Sequence, residues 1–592
     1  MKNPFDILTP EDTSAEDIHS IFVDVFTDFH QVPKIGHAFL NGPRGSGKSM
    51  MFRYMMPDCQ KIRQGCTLKD LDYFSLYIPI KLTDFNYGEY DKLKENANNF
   101  INEHLLITFI AAKCFQNIID LKEDDISVHK DDLVLFFNNS FLWFLEISGF
   151  NAEHLKNTSF NTSEEVLKLM VTTLDKIFIE CKRYCKDLAI NPNKPIDYNG
   201  ALCNFLDFLL PLFKEFKNLK FMPEGPIFLL IDDAGYLTVT QTQILNTWVS
   251  FRASKFISIK ISTQLDYKSF KTVTNKTIDS PHDYSEVNIS DIYTSPQNDY
   301  HKRVEEIVEK RLEKYLLKKI KADDFFPPDI PQQVRIAEIR KKLEVIHKDD
   351  SKKHAAGDAG RRYATSDFFK EISKNSSTYS YAGFDNLVNI SSGIVRHFLE
   401  PASIMFAHCA KGSDDISFIP PSDQNLIINE YSRKFLDEEF AKVYEEHGTL
   451  VENDKLSKAD KLYNLITGFG ELCKKIFMSE RTERIVFSIG LYDLPNKELN
   501  EILELAIHYG YLHKSTIGNK QGTGRNKLYI LSRTLAPYFR LDPTGFKGYK
   551  FMKSEILNIA LTAPTRFVAI ASKDFGNSDN TTQTLFDNYE TE

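Results

Sequence analysis

The chain has 592 residues, 42% of them hydrophobic, and a formal net charge of −9. Single cores stop growing near ~250–300 residues, so several domains are expected. The acidic balance excludes a protein that coats nucleic acid over its whole surface, and any DNA contact has to come from a local basic patch. The richest apolar stretches, Leu105–Ala112 and Phe141–Ile147, fall short of the ~18–20 residues of a membrane span. With no apolar leader after Met1, the expectation is a cytoplasmic protein with no membrane partner. Of the eight cysteines, only Cys181 and Cys185 are close together. Without a second pair or a histidine cluster they read as buried reduced thiols rather than zinc ligands.

In chain order, residues 1–33 form an N-terminal segment with an amphipathic helix expected over Asp17–Phe29. A short apolar strand at His37–Leu40 leads into Gly42-Pro43-Arg44-Gly45-Ser46-Gly47-Lys48-Ser49 and a helix-forming stretch, Met50–Met56. The pattern G-x-x-x-x-G-K-[ST] between strand and helix is a phosphate-binding loop. Its glycines let backbone N–H groups wrap a phosphate, and the helix start carries about half a positive charge. Gly42 to Met50 are therefore the candidate ATP-binding residues. Lys48 faces the β/γ-phosphates, and the Ser49 hydroxyl is a ligand for Mg²⁺.

Phe74–Leu82 reads as a second strand. The next apolar run, Pro226-Ile227-Phe228-Leu229-Leu230-Ile231-Asp232-Asp233, ends in two carboxylates, as a central parallel strand does at a ligand crevice. Asp232 is the candidate Mg²⁺ ligand and Asp233 the group that orients an attacking water. The chain between these strands far exceeds what a crossover needs, which implies an insertion at about 94–220. Its helices are expected at Phe100–Leu121, Asp131–Ile147, Ser163–Leu188 and Gly200–Phe216, with Thr162 and Glu165 as a capping box. A helix at Thr240–Phe251 and strands at Phe256–Thr263 and Ser285–Ile292 complete a doubly wound α/β core over 34–295.

A helical segment follows over 296–412, with the charged run Lys341–Ser366 expected as a mobile loop. Over 413–575 come a helix at Ser457–Met478, an apolar run at Ile485–Ile489 and a helix at Asn496–Tyr509. Tyr511–Thr516 and Leu528–Leu531 then flank a turn holding Gly518, Gly522 and Gly524. Helices followed by a glycine-tipped hairpin outline a winged helix. The polar tail 576–592 is expected to be disordered.

These motifs in this order resemble the AAA+ ATPases, in particular the origin-recognition initiator type with its C-terminal winged helix. The resemblance implies a P-loop NTPase fold with a helical lid over 296–412, ATP and Mg²⁺ as cofactors, and a homo-oligomer. In Ile259-Lys260-Ile261-Ser262-Thr263 it makes Thr263 the polar sensor of the γ-phosphate or water. In Ser391-Ser392-Gly393-Ile394-Val395-Arg396 it makes Arg396 the lid arginine on the γ-phosphate. Two departures stand out. Asp233 occupies the usual glutamate position and is one methylene shorter, which implies slow hydrolysis. A second family, the STAND signalling ATPases, also tends toward paired acidic residues here, but the arginine they place at the end of the sensor strand is missing, since Thr263-Gln264 stands there, and the initiator-like lid is the better match. The spacing is also similar to that of initiator-like ATPases of bacterial conflict and anti-phage loci. An arginine acting on a neighbour's nucleotide is assigned first to Arg252 and second to Arg303.

Lys514, Lys520, Arg525 and Lys527 lie on the proposed hairpin with no acidic residue between them, which makes a wing suited to DNA phosphates. Glu498, Glu501 and Glu504 on the preceding helix oppose groove entry, so contact with duplex DNA is expected to be weak and independent of sequence. Four phosphate contacts imply a salt slope of about −3.6. The competing class is a nucleotide-dependent switch that activates a separate effector protein. A third is a replication or transposition loader.

Overall fold

The computed structural model describes residues 2–24, 29–82, 93, 95–191, 197–251, 255–264, 267–288, 299–346, 355–374, 378–412, 415–450, 455–479, 486–518, 525–544 and 548–573. The chain divides into two compact units. One holds Leu8–Gly42 and Gly47–Ile289, and the other holds Met1–Ile7, Pro43–Ser46 and Ser290–Glu592.

The first unit is built on a five-stranded sheet in the order β2-β3-β4-β1-β5. Its strands are β1 His37–Asn41, β2 Phe74–Pro79, β3 Ile227–Asp232, β4 Ile257–Thr263 and β5 Tyr284–Asn288, and all their pairings are parallel. Every residue of β1, β3 and β4 is buried. Parallel strands covered on both faces require this, and it explains why they read as unbroken apolar runs. β2 stops at Pro79 and gives way to a 3₁₀ turn over Ile80–Leu82, shorter than the strand expected to Leu82. The register sets Asn41 beside Thr263 and Pro79 beside Asp232, so the C-terminal ends of the central strands lie level.

A helix α1, Lys48–Tyr54, follows the glycine-rich loop. The N-terminal helix covers only Ala15–Ile21. Phe22 turns to extended backbone and stacks its ring on Tyr54 at 3.8 Å, which ends the helix earlier than its periodicity suggests.

Between β2 and β3 the chain is helical. Its longest members are α2, Glu95–Leu121, and α3, Ser163–Ile190. The expected Asp131–Ile147 helix is interrupted by a π-helical turn at Phe137–Phe141, and the Gly200–Phe216 helix begins only at Phe205, again with a π turn. Phe115, Phe136, Phe141, Phe213 and Phe216 pack ring against ring in the core. The Thr162 hydroxyl accepts the Glu165 N–H as expected of a cap, while the Glu165 carboxylate reaches back to Asn161 N–H. By length and composition, Asn96–Leu121 is apolar enough to cross a membrane, contrary to expectation. It packs on α3, on β2 and on the helix α4, Val239–Ser250, as a core helix does.

The second unit is mostly helical. Lys341–Ser366 is not a loop where it is described. Lys341–Ile346 closes the helix Ile330–Ile346, and residues 355–366 belong to the helix Ala355–Lys374. These two helices pack together, and Arg335 of the first donates to Glu371 of the second at 2.6 Å. Next come the helix Phe384–Ile390 and α5, Val395–Cys409, followed further on by α6, Lys458–Phe477, and α7, Lys497–His508. Ser457 and Asp460 form a reciprocal capping box on α6, and Asn496 caps α7. A four-stranded sheet in the order β7-β8-β6-β9 packs beside them: β6 Val486–Leu491, β7 Leu512–Gly518, β8 Arg525–Leu531 and β9 Gly548–Met552. β7 and β8 form the expected antiparallel hairpin. β9, which runs parallel to β6, was not expected. The hairpin glycines Gly522 and Gly524 and the tail 576–592 lie outside the described residues.

The turn before α5 and the 3₁₀ turn Arg533–Leu535 after β8 are joined within this unit. Arg533 N–H donates to Ser392 Oγ at 2.6 Å, and Thr534 Oγ1 donates to the Ile390 carbonyl at 3.0 Å.

Candidate nucleotide-binding site

The glycine-rich loop leaves β1 at Gly42, whose N–H donates to the Thr263 carbonyl at 3.1 Å, so the loop is anchored to the end of the neighbouring strand β4. Gly47, at φ 97°, caps α1 in a left-handed conformation open to glycine at no steric cost. Lys48 is buried, and its ammonium donates to the Gly42 carbonyl at 2.8 Å, folding the side chain back over the loop. Ser49 and Met50 sit half-buried in the first turn of α1.

The tip of the loop, Pro43–Ser46, groups with the second unit. Ser46 Oγ donates to the Pro43 carbonyl at 2.8 Å. Gly45, at φ 83°, accepts the backbone N–H of Arg396 at 3.1 Å. A Cβ on Gly45 would come within 2.7 Å of the Arg396 Cβ, so both conformation and packing call for glycine there. Arg396, placed by sequence on the γ-phosphate, is thus tied to the loop through its main chain, with its side-chain stem lying across Gly45. Arg44 is exposed and, with Arg396, Lys434 and Tyr509, helps to line a cleft of about 610 Å³ in the same unit.

At the end of β3, Asp232 is buried, with three possible donors around its carboxylate. Ser262 Oγ makes a short contact with Oδ1, the Asp233 N–H donates to Oδ1 at 3.0 Å, and the Tyr77 hydroxyl lies 2.8 Å from Oδ2. Burial, with Asp232 and Glu11 alongside, pushes the Tyr77 phenol up, so it remains an O–H donor. Asp233 adopts a left-handed conformation, φ 56°, that turns the chain sharply away from the strand. Burial, and then the charge of Asp232, raise its carboxyl above the usual value, against a weaker opposing pull from Lys48 and Lys81. Gln264 Nε2 donates to Asp233 Oδ1 at 3.3 Å.

Thr263 is fully buried at the end of β4. Its carbonyl holds the loop, while from the same strand end Gln264 donates to the Asp233 carboxylate and Ser262 Oγ accepts the Asp233 N–H at 3.1 Å. Arg252 and Lys520 lie outside the described residues, and Arg303 sits in the first turn of the helix Tyr300–Leu316. Tyr77, Ser262 and Gln264 were not singled out from sequence. Tyr77 lies on β2 and the other two close β4, so only the strand order brings them to the paired aspartates.

The donor set fits Mg²⁺. Asp232 and Ser49 offer hard oxygens, and this cation keeps waters and phosphate ligands rather than an all-protein cage. No group of three or more His, Cys, Asp or Glu side chains suited to a metal occurs among the described residues.

On the described hairpin strands, Lys514 is paired with Glu504 of α7 at 3.2 Å, and Lys527 is half-buried. The Arg525 backbone pairs with Gly518. The glutamates expected to repel phosphates are each matched: Glu498 by Lys461 at 2.6 Å, Glu501 by Lys458 at 3.0 Å and Glu504 by Lys514.

A parallel α/β sheet whose first strand feeds a glycine-rich loop and helix, with an acidic strand end beside it, is the arrangement of an AAA+ nucleotide-binding core. The chain belongs to the ORC-CDC6-like family, whose model matches residues 3–551. Among solved structures it is similar to the Aeropyrum pernix ORC1 protein in complex with DNA, at 9% identity and a TM-score of 0.26, with 95% of each chain covered. No curated protein sequence matches it.

Proposed function

We propose that this protein is a cytoplasmic, Mg²⁺-dependent ATP switch of initiator type that hydrolyses ATP slowly and touches duplex DNA through a C-terminal winged helix. The observation that carries the ATP reading is the meeting of three strand ends. Gly42 is bonded to Thr263, Lys48 closes on Gly42, and Asp233 feels the charges of both Asp232 and Lys48. Lys48 then neutralises the β/γ-phosphates, and the N–H groups of 42–50 wrap them. Asp232 and Ser49 hold Mg²⁺, which, when bound, spreads the charge of the transferring phosphoryl group.

Asp233, with its raised proton affinity and its carboxylate steadied by Gln264, orients and deprotonates the attacking water. Its short side chain favours slow turnover. Arg396 couples the loop tip to the lid, which fits a switch read out by lid position. A homo-oligomer with Arg252 acting in trans and a role in prokaryotic genome defence belong to this reading on the resemblance; a switch that activates a separate effector protein, and a replication or transposition loader, are its alternatives.

The test is Lys48→Ala. ATP affinity should fall by at least about a hundredfold. The stabilisation that ATP gives wild type, about 2.7 kcal/mol at a hundred times Kd, should fall to about 0.4 kcal/mol or less at the same ATP concentration. Wild-type affinity in the variant refutes the assignment of the loop. An ATPase rate that rises with a protein partner and not with duplex DNA would favour the effector-switch reading.

A further inference from the structure

Tyr77 is held with unusual completeness for a residue on an edge strand. Asn117 of α2 brackets it, accepting the Tyr77 N–H at 2.7 Å and donating to the Tyr77 carbonyl at 3.2 Å. Its hydroxyl is thereby fixed between two carboxylates, Asp232 Oδ2 at 2.8 Å and Glu11 Oε1 at 2.8 Å. Glu11 lies in the 3₁₀ turn Pro10–Asp12, far away in sequence.

A phenol carries one O–H, and a carboxylate only accepts. Tyr77 can therefore donate to Asp232 or to Glu11, not to both at once. When the proton points to Asp232, both oxygens of that carboxylate have donors: Ser262 Oγ and the Asp233 N–H on Oδ1, and Tyr77 on Oδ2. When it points to Glu11, Oδ2 loses its donor and the carboxylate is held on one side only.

We propose that Tyr77 is a positioning residue for the metal ligand Asp232, and that Glu11 of the N-terminal segment competes with Asp232 for the Tyr77 proton. This rests on reading Asp232 as a Mg²⁺ ligand. Outer-sphere partners that orient a ligating carboxylate are worth about 10–100-fold in metal affinity. Glu11 is thus a handle by which the N-terminal segment sets that affinity. Any partner that draws the Glu11 carboxylate away strengthens Mg²⁺ binding without touching the nucleotide.

The experiment titrates Mg²⁺ against binding of a fluorescent ATP analogue to the full-length protein, with an arm in EDTA. Tyr77→Phe, which keeps the ring and removes the hydroxyl, should weaken the apparent Mg²⁺ affinity about tenfold. Affinity for the analogue in EDTA and the melting temperature should stay as in wild type, which a merely structural role would not spare. Glu11→Gln, whose amide can donate to the phenol oxygen and release its proton to Asp232, should strengthen apparent Mg²⁺ affinity severalfold. In the Tyr77→Phe background it should do nothing. A Tyr77→Phe protein with unaltered Mg²⁺ dependence, or a Glu11→Gln effect that persists without the hydroxyl, overturns the inference while leaving the ATP reading intact. If wild type binds the analogue with no Mg²⁺ dependence, the assignment of Asp232 fails and the inference fails with it. Should Tyr77→Phe fold poorly, the Glu11→Gln arm alone still decides, because unchanged Mg²⁺ affinity there refutes competition.

Discussion

Acid should loosen the nucleotide-binding unit, because two histidines in that unit are buried as neutral acceptors. His37 Nδ1 accepts the Ile259 N–H at 3.0 Å, and His104 Nδ1 accepts the Cys203 N–H at 2.9 Å. Protonation would set one N–H against another in a buried site, and neither Nε2 has a hydrogen-bond partner among the described residues. Burial lowers both to about 4. These native values lie below the unfolded value of ~6.5, so the stabilisation is complete above that pH and is lost as pH falls toward 4. At pH 5 each group should cost about 2 kcal/mol relative to pH 7.5, or about 4 kcal/mol together. Glu103, which burial raises, acts in the opposite direction and trims the total.

The chain has two tryptophans, Trp143 and Trp248, and both fall in this unit. Urea unfolding followed by tryptophan fluorescence at pH 7.5 and pH 5 therefore reads it selectively. His104→Asn, whose amide oxygen can stand in for Nδ1 without titrating, should remove about half of the pH dependence. A change below about 1 kcal/mol in wild type, or an identical pH dependence in the variant, would refute the reasoning.

Asp233→Asn should keep ATP binding near wild type and slow single turnover by about 10²–10⁴, whereas Asp232→Asn should weaken binding only when Mg²⁺ is present. The reverse pattern in equilibrium binding and quenched-flow assays would exchange the two roles. Arg396→Ala keeps the main-chain bond to Gly45, so the loop tip should hold while the difference in protease sensitivity between ATP- and ADP-bound protein shrinks. An undiminished difference places the switch elsewhere. Replacing Lys514, Lys520, Arg525 and Lys527 together by Ser should abolish most duplex binding at ~50 mM salt. Because Glu504 already occupies Lys514, the wild-type salt slope should be about −2.7, from three phosphate contacts, rather than about −3.6 from four. No measurable duplex binding by wild type at low salt would remove DNA as a partner of this module.

Those parts of the site whose chemistry is contiguous in the chain were legible in the sequence. The loop 42–49 announces itself because wrapping a phosphate needs glycines and a lysine at fixed spacing, and β3 does so because a strand buried on both faces must be apolar until its functional end. Tyr77, Ser262 and Gln264 were hidden, since their meaning depends on β2, β3 and β4 lying side by side, a pairing that no local pattern encodes. Lys341–Ser366 was misread for a related reason. Its charge suggested solvent, yet charged side chains can also bond across two packed helices, as Arg335 and Glu371 do on either side of this stretch. The early end of the first helix turns on Phe22 finding Tyr54, a contact between residues far apart in sequence.

The charge pattern on α7 bears most directly on what the C-terminal module does. From sequence, Glu498, Glu501 and Glu504 formed an acidic stripe at odds with groove binding. In the fold, Lys461 and Lys458 of α6 and Lys514 of β7 lie against them, so the stripe is close to neutral. Lys461 keeps only 8% of its side chain exposed, whereas the other two pairs are half open to solvent, where such bonds contribute about 0–1 kcal/mol. A phosphate can compete for those exposed lysines, but each one it takes leaves a carboxylate uncovered beside it, so the net electrostatic gain from α7 and its partners is small. α7 therefore presents little net charge to a duplex. Lys520, Arg525 and Lys527 follow one another in the chain with no acidic residue between them, and DNA engaged there would be gripped by its backbone from one side. Such a contact suits a protein whose nucleotide state, rather than base recognition, decides when it binds.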